Sequence, residues 1–330
     1  MNTLGKIFRI SVFGESHGEG VGVIIDGCPP GIMVDQEILL RDIDRRKSGK
    51  KGTTPRKEYD MPMIMSGVFK GYTTGAPIMI MTENTNKRSP DYNKFSDIPR
   101  PGHTDMVADQ KYGGFSDTRG SGHFSGRLTW SMVAAGAIAR KIIEPIVVEA
   151  GILSVGGNEN IEEEVDRAVS EKDSVGGLIE CIASGMPVGL GEPLYYSLEA
   201  AVSSYIYSIP AIKGLEFGSG FRAATMRGSE HNDLIENKSG KTKTNNAGGV
   251  NGGISNGNDL VLRVAVKPPS SISRPQNTYN RKTGKIDLLE IEGRHDACIA
   301  LRIPVIIESA VSLALADLVL INKAIYGGKE

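Results

Sequence analysis

Apolar residues alternate with small or polar ones along Gly5–Ile25, where Val21, Val23 and Ile25 follow a glycine corner, and this period of two predicts paired strands. Over Gln36–Asp44 the spacing becomes that of a helix, with Asp35 placed to cap its first turn. From Arg45 to Lys57 the chain is basic and polar and reads as a loop. Tyr59–Glu83 returns to alternation through Met61, Met63 and Met65, which predicts strands. Leu128–Ile143 predicts a helix whose Ala134-Ala135-Gly136-Ala137 run lets a second helix approach closely. Leu178–Ala183 and Leu260–Val266 predict strands, and Leu198–Ile209 a helix. The most apolar stretch, Ile303–Ile321, contains Pro304, Glu308 and Asp317, so it predicts a buried core helix rather than a membrane span. No repeat or clear linker divides the chain. The expectation is one α+β domain over residues 1–330, with sheets around packed helices.

Composition narrows the classes. A formal charge of −1 over 330 residues gives no global pull toward nucleic acid or an acidic membrane. Cys28, Cys181 and Cys298 are isolated thiols, which suits a reduced cytoplasmic setting. No two His or Cys residues stand at metal-ligand spacing, so no metal is expected. Lys6 and Arg9 interrupt the N-terminal run, and no signal peptide is expected.

All five histidines sit in polar or glycine-rich runs: Glu-Ser-His17-Gly, Pro-Gly-His103-Thr-Asp, Ser-Gly-His123-Phe-Ser-Gly-Arg, Glu-His231-Asn and Gly-Arg-His295-Asp. Histidine transfers protons near neutral pH, glycine admits close backbone approach, and arginine pairs with phosphate or carboxylate. The pattern points to an enzyme site assembled from distant parts of the chain. Ser16 and His17 would face opposite ways on a strand, and no G-x-S-x-G elbow exists, so a hydrolase Ser–His pair is disfavoured. A general acid at His17 fits better, with Ser16 orienting it. The basic residues Arg41, Arg45, Arg46, Lys47, Lys50, Lys51 and Arg56 form either a solvated face or a site for a small polyanion, to which Arg119, Arg127 and Arg294 add charge. Lys267-Pro268-Pro269-Ser270-Ser271 follows a strand and is either a stiff turn or a hold for a cofactor phosphate. The stretch Asn237–Asp259 reads as a flexible linker or as glycine turns whose amides cradle an anion. Asp296 could act as a base if desolvated, within what is otherwise a structural Arg–His–Asp cluster.

Gly14-Glu-Ser-His-Gly18, Arg100-Pro-Gly-His-Thr-Asp105, Asn246-Ala-Gly-Gly with Gly252-Gly-Ile-Ser255, Lys267-Pro-Pro-Ser-Ser-Ile272 and Gly293-Arg-His-Asp296 occur in one order along nearly the whole chain. Together they resemble the chorismate synthase family. The resemblance implies a lyase of the shikimate pathway. Such an enzyme converts 5-enolpyruvylshikimate 3-phosphate to chorismate and phosphate by a redox-neutral anti-1,4-elimination that needs reduced FMN. It also implies a β-α-β sandwich with a helical core between antiparallel sheets, assembled as a homotetramer.

By the same resemblance, His17 would protonate the departing phosphate and His103 would set the protonation of the flavin's pyrimidine edge. Asp296 would take the proton at the flavin's N5 edge, while Ser16 and Ser125 orient this relay. His123, Phe124, Ser125, Ala211, Gly252, Lys267, Pro268, Pro269, Ser270, Ser271 and Arg294 match flavin-contacting positions. Arg46, Arg127 and Arg294 match positions near substrate, and Arg46 with neighbouring lysines such as Lys51 matches a region assigned to NADP in relatives. His295 is expected to support the loop that holds Asp296.

The chain departs from the family in two places. His123-Phe-Ser-Gly-Arg-Leu-Thr129 replaces the usual Arg-Ser-Ser-Ala-Arg-Glu-Thr, and Gly151–Gly177 is short. Two other readings stay open: a flavin-binding paralogue that has lost the lyase activity, and a phospho-ligand or RNA-binding protein with steep salt dependence.

Overall fold

The computed structural model describes residues 2–49, 51–54, 59–85, 95–293 and 295–327. The first half runs β1 (Thr3–Leu4), β2 (Arg9–Gly14), β3 (Gly20–Asp26), α1 (Gln36–Arg46), β4 (Met63–Ser66), β5 (Val68–Phe69), β6 (Tyr72–Thr73), β7 (Ile78–Glu83), α2 (Asp105–Tyr112) and α3 (Thr129–Ile142). It continues through β8 (Val147–Val155), α4 (Ile161–Ser170), β9 (Gly177–Ser184), α5 (Leu198–Ile206), β10 (Ile212–Phe217) and α6 (Gly228–His231). The remainder is β11 (Val250–Asn251), β12 (Ile254–Ser255), β13 (Leu260–Val266), β14 (Gln276–Asn280), β15 (Lys285–Leu289) and α7 (Pro304–Tyr326).

Two antiparallel sheets enclose the helices. One has the order β1-β2-β3-β7-β4 and the other β10-β13-β9-β8. Alternation decides which face of each strand turns inward. In β3, Val21, Val23 and Ile25 are fully buried while Ile24 stays exposed. In β13, Leu260, Leu262, Val264 and Val266 point into the core. Helix α3 packs on the first sheet, α7 on the second, and the two helices pack on each other, with α1 and α5 filling the flanks. The α+β sandwich around a helical core is therefore as expected.

The close contact of α3 with α7 rests on Gly136. A Cβ there would stand 2.4 Å from the Ser309 Cβ, so only glycine lets the axes approach this far. Helix α7 is long and apolar enough to cross a membrane, but it lies inside the core with most of its length buried. Its polar residues are satisfied internally: Ser309 and Ser312 hydroxyls donate to the carbonyls of Val305 and Glu308. Glu308 accepts from Arg45 of α1, Arg140 of α3 and the Ala150 amide of β8. Asp317 accepts from the amides of Lys6, Ile7 and Phe8 and from the Tyr196 hydroxyl.

Local expectations mostly match. Asp35 caps α1 through the amides of Glu37 and Ile38 at 3.0 Å each. Two differ. Helix α5 stops at Ile206, and the residues that follow turn into β10. The stretch 237–259 is neither a flexible linker nor an open anion cradle, because its own chain supplies the anion. The Asp233 carboxylate accepts from the amides of Asn246 (2.8 Å) and Ala247 (2.9 Å) and from the Thr244 hydroxyl.

Candidate active site

A cavity of about 320 Å³ opens at one end of the helical layer, where the loops that leave both sheets converge. Its wall takes Ser16 from the β2–β3 turn, Arg46 from the last turn of α1, and Arg100 and His103 from the loop before α2. Phe124, Ser125 and Arg127 come from the turns leading into α3, Ala211 from the start of β10, and Lys267, Pro269, Ser270 and Ser271 from the segment after β13. His295, Asp296 and Arg302 close it on the approach to α7. Cavities of this size accommodate a small organic ligand.

Ser16 and His17 lie on a turn rather than on a strand, so strand alternation does not separate them as the sequence argument assumed. Both are buried and both face Gly120, whose conformation is left-handed (φ +58°). A Cβ on Gly120 would stand 2.4 Å from His17 Cδ2 and 2.8 Å from Ser16 Oγ. His17 therefore sits one layer behind the cavity wall. Asn84 fixes this turn by donating to the carbonyls of Glu15 (2.9 Å) and Gly18 (3.0 Å), and its oxygen accepts from Arg127 Nε at 3.0 Å.

Arg46 and Arg127 are joined by a buried carboxylate. Asp60 accepts from Arg46 at 3.1 Å on one oxygen and from Arg127 on the other. Burial alone would raise the Asp60 carboxyl, but the two guanidinium charges outweigh it and hold it below the ordinary carboxylate range. The single Asp60 carboxylate offsets one of the two guanidinium charges, which leaves this buried trio with a net charge of +1 beside the cavity.

Around His103 the groups are closer still. Asp105 Oδ1 lies 2.8 Å from His103 Nδ1 and accepts from Arg100 at 2.7 Å, while its second oxygen accepts from Arg100 Nε at 2.8 Å. Burial opposes the charge on Asp105, yet these partners hold its carboxyl far below the usual value. Arg100 also donates to Ser271 at 3.0 Å, and Ser121 Oγ stands 3.3 Å from His103 Nε2. Lys267 donates to the Gly102 carbonyl (2.9 Å) and to Ser270 Oγ (2.6 Å), which pins the two loops together. Burial, followed by the nearby charge of Lys213, lowers the Lys267 ammonium below its usual pKa.

On the opposite wall Asp296 accepts from Arg302 at 2.5 Å and from the Thr54 amide at 2.8 Å. His295 has a pKa lowered by burial, so it is neutral at pH 7. Its Nε2 and the Nε of Arg302 are buried without a hydrogen-bond partner among the described residues.

Of the positions singled out in the sequence, Ser16, Arg46, His103, Phe124, Ser125, Arg127, Ala211, Lys267, Pro269, Ser270, Ser271 and Asp296 meet at this cavity. Besides His17 behind the wall, four others stand elsewhere, each for a visible reason. His123 turns away and is held by the Gly14 carbonyl at 2.8 Å and the Asn2 side chain at 3.1 Å. Lys51 forms a surface ion pair with Asp166 at 2.8 Å. Gly252 lies at the exposed tip of the β11–β12 hairpin, and Pro268 faces outward between lining residues. Arg294, like Lys50 and Arg56, is outside the described residues. Arg100, Asp105, Asn84, Asp60 and Arg302 were given no role in the sequence reading. Arg100 and Asp105 flank His103 in one motif and could have been found there; Asp60 and Asn84 lie in stretches with no motif.

A family model described as chorismate synthase matches residues 8–320. Among curated proteins, the chain is 57% identical to a chorismate synthase of Chitinophaga pinensis, with 98% of each chain covered. It is 44% identical to one of Dehalococcoides mccartyi, over 97% of this chain and 96% of that one. A solved structure titled as a crystal structure of chorismate synthase superposes with a TM-score of 0.73 at 25% identity, over 96% of this chain and 92% of the other.

Proposed function

The chain belongs to the chorismate synthase family, and from that premise we propose how its cavity makes chorismate. The reaction removes phosphate and a proton from 5-enolpyruvylshikimate 3-phosphate in an anti-1,4-elimination. The substrate carries a phosphate and two carboxylates, and the single observation that carries the assignment is the convergence of Arg46, Arg100, Arg127, Lys267 and Arg302 with Ser16, His103 and Asp296 on one cavity. Guanidinium groups suit such anions because each can give two parallel hydrogen bonds.

The family requires reduced FMN, and the wall suits it. The unpartnered His295 Nε2 and Arg302 Nε offer buried polar atoms to a heteroaromatic ring edge, and the Lys267–Ser271 segment offers an ammonium and hydroxyls to a phosphate. Phe124, Ser125, Ala211, Lys267, Pro269, Ser270 and Ser271 would hold it. When bound, reduced FMN supplies the electron density that helps the carbon–oxygen bond break and recovers it as the allylic hydrogen leaves.

The protein's own groups do the rest. Arg46 and Arg127 orient the anionic substrate, already set by Asp60. His17 gives a proton to the departing phosphate through the Ser16 side of the turn, which meets the charge that develops as the bond breaks. His103 holds a proton at the flavin's polar edge, and Asp296 accepts one on the far wall. We place the enzyme in the cytoplasm as a homotetramer of one-domain subunits. Arg46 remains the candidate for an NADP contact, while Lys51, engaged with Asp166, is a weaker one.

The test is anaerobic: purified protein, 5-enolpyruvylshikimate 3-phosphate and dithionite-reduced FMN, with chorismate absorbance and phosphate release followed together. Both products in equal amounts, and none with oxidised FMN, support the assignment. Folded protein that binds the flavin but forms neither product would instead mark an inactive paralogue.

A further inference from the structure

The two nitrogens of His103 are held unequally. Its Nδ1 lies 2.8 Å from Asp105 Oδ1 and 3.1 Å from Arg100 Nη2, whereas its Nε2 faces Ser121 Oγ at a looser 3.3 Å on the cavity wall. An ionised carboxylate can only accept and a guanidinium can only donate; Arg100 Nη2 already gives its shorter bond, 2.7 Å, to Asp105 Oδ1, so the 2.8 Å carboxylate pair outweighs the 3.1 Å contact and places the proton on Nδ1. The Asp105 side chain is 13% exposed and is itself clamped by the 3% exposed Arg100, through both oxygens, at 2.7 and 2.8 Å. Asp105 is the first residue of α2, so the helix fixes its backbone, and Arg100 is fixed in turn by Ser271 and by the Phe95 ring 4.4 Å below it.

We propose that Asp105 is the positioning residue of His103: it holds the ring as the Nδ1–H tautomer and leaves Nε2 as the nitrogen that exchanges protons in the cavity. Arg100 balances the carboxylate charge and fixes the direction in which Asp105 faces the ring. The second ring nitrogen of a histidine sets which tautomer works, and this arrangement supplies that control from within the same six-residue motif. The inference rests on the reading of His103 as a proton-handling residue, and the experiment separates the two.

Turnover with saturating reduced FMN and substrate is measured for the wild type, Asp105→Asn, His103→Ala and the double variant. Asp105→Asn is expected to lower kcat by roughly 10- to 100-fold, a part of the ~10²–10⁴ that an acid or base contributes, with KM little changed. The double variant is expected to be no slower than His103→Ala, since a residue acting only through another adds nothing once that partner is gone. Losses that multiply, or an unchanged kcat in Asp105→Asn, overturn the proposal. If Asp105→Asn does not fold, nitrogen spectra of ¹⁵N-histidine-labelled wild-type protein decide instead. The His103 signals, identified by their loss in His103→Ala, should show a protonated Nδ1 and a bare Nε2, and the opposite pattern overturns the proposal. Wild-type turnover in His103→Ala would remove His103 from the reaction, while the spectra still judge Asp105's hold on the ring.

Discussion

Gly120 shows how one missing side chain can shape the chemistry next to it. His17 is buried, so its ring has no room to retreat from a new methyl group, and the left-handed backbone of Gly120 disfavours any other residue there. Gly120→Ala should therefore imitate His17→Ala. Both should lose turnover by about 10²-fold, one by displacing the acid and the other by removing it, while reduced FMN still binds. Anaerobic single-turnover assays with a separate flavin titration check this, and normal turnover in His17→Ala would remove it from the mechanism. Lys267→Ala should act on binding instead. Losing its charge and its bonds to Gly102 and Ser270 should weaken FMN roughly 10- to 100-fold, as for a hydrogen bond to a charged group. An unchanged flavin affinity would take Lys267 out of the site. At this scale the sequence showed the residues whose chemistry is rare, such as the loop histidines. It did not show Asp60 or Asn84, because their importance lies in what they touch 14 to 69 positions away along the chain.

Helices and strands were more legible than their contacts. The periods of β3, β13 and α1 follow from which face is buried, and Asp35 marks the start of α1 by an ordinary cap. Short elements without a strong period, such as α2 and the β14–β15 hairpin, were not found, since local pattern alone does not fix them; α4, with its apolar face and Asn160 cap, carried a readable pattern that went unused. The Glu308 cluster was also invisible, because α1, α3, α7 and β8 meet there only after folding. Burial works against the Glu308 charge, but Arg45 and Arg140 prevail and lower its pKa. Asp60 and Asp105 are lowered in the same way. A carboxyl whose folded pKa is depressed stabilises the fold above its unfolded pKa of about 4, and that contribution disappears as pH falls toward the folded value. Chemical denaturation should therefore show a modest loss of stability as pH falls below about 6.5, where the buried His295 resists protonation, and a steeper fall below about pH 4 as these carboxylates are protonated. For Glu308→Gln, which keeps the shape but loses the charge, that acid slope should be shallower. An identical slope would show that the cluster does not contribute.

Over the whole molecule, the motif order made the family legible because five separated segments keep one order, and four of them fold onto one cavity. The sandwich itself could not be read from alternation, which says that a strand has an inner face but not what covers it. The second sheet is covered by α7, the last helix among the described residues, which Asp317 ties back to residues 6–8 near the first strands. A chain ending before Pro304 should accordingly stay protease-sensitive and bind no flavin. Resistance comparable to the full chain would show that the sheets close without it.

That placement has a bearing on how the protein is made. While the ribosome is still translating, the first sheet can already receive α3 but the second lacks α7, and the backbone amides of residues 6–8 wait for a carboxylate more than 300 positions downstream. The inner face of the second sheet is thus left unburied until residues 304–326 emerge, and apolar surface exposed in that interval is what makes partly folded chains prone to aggregate.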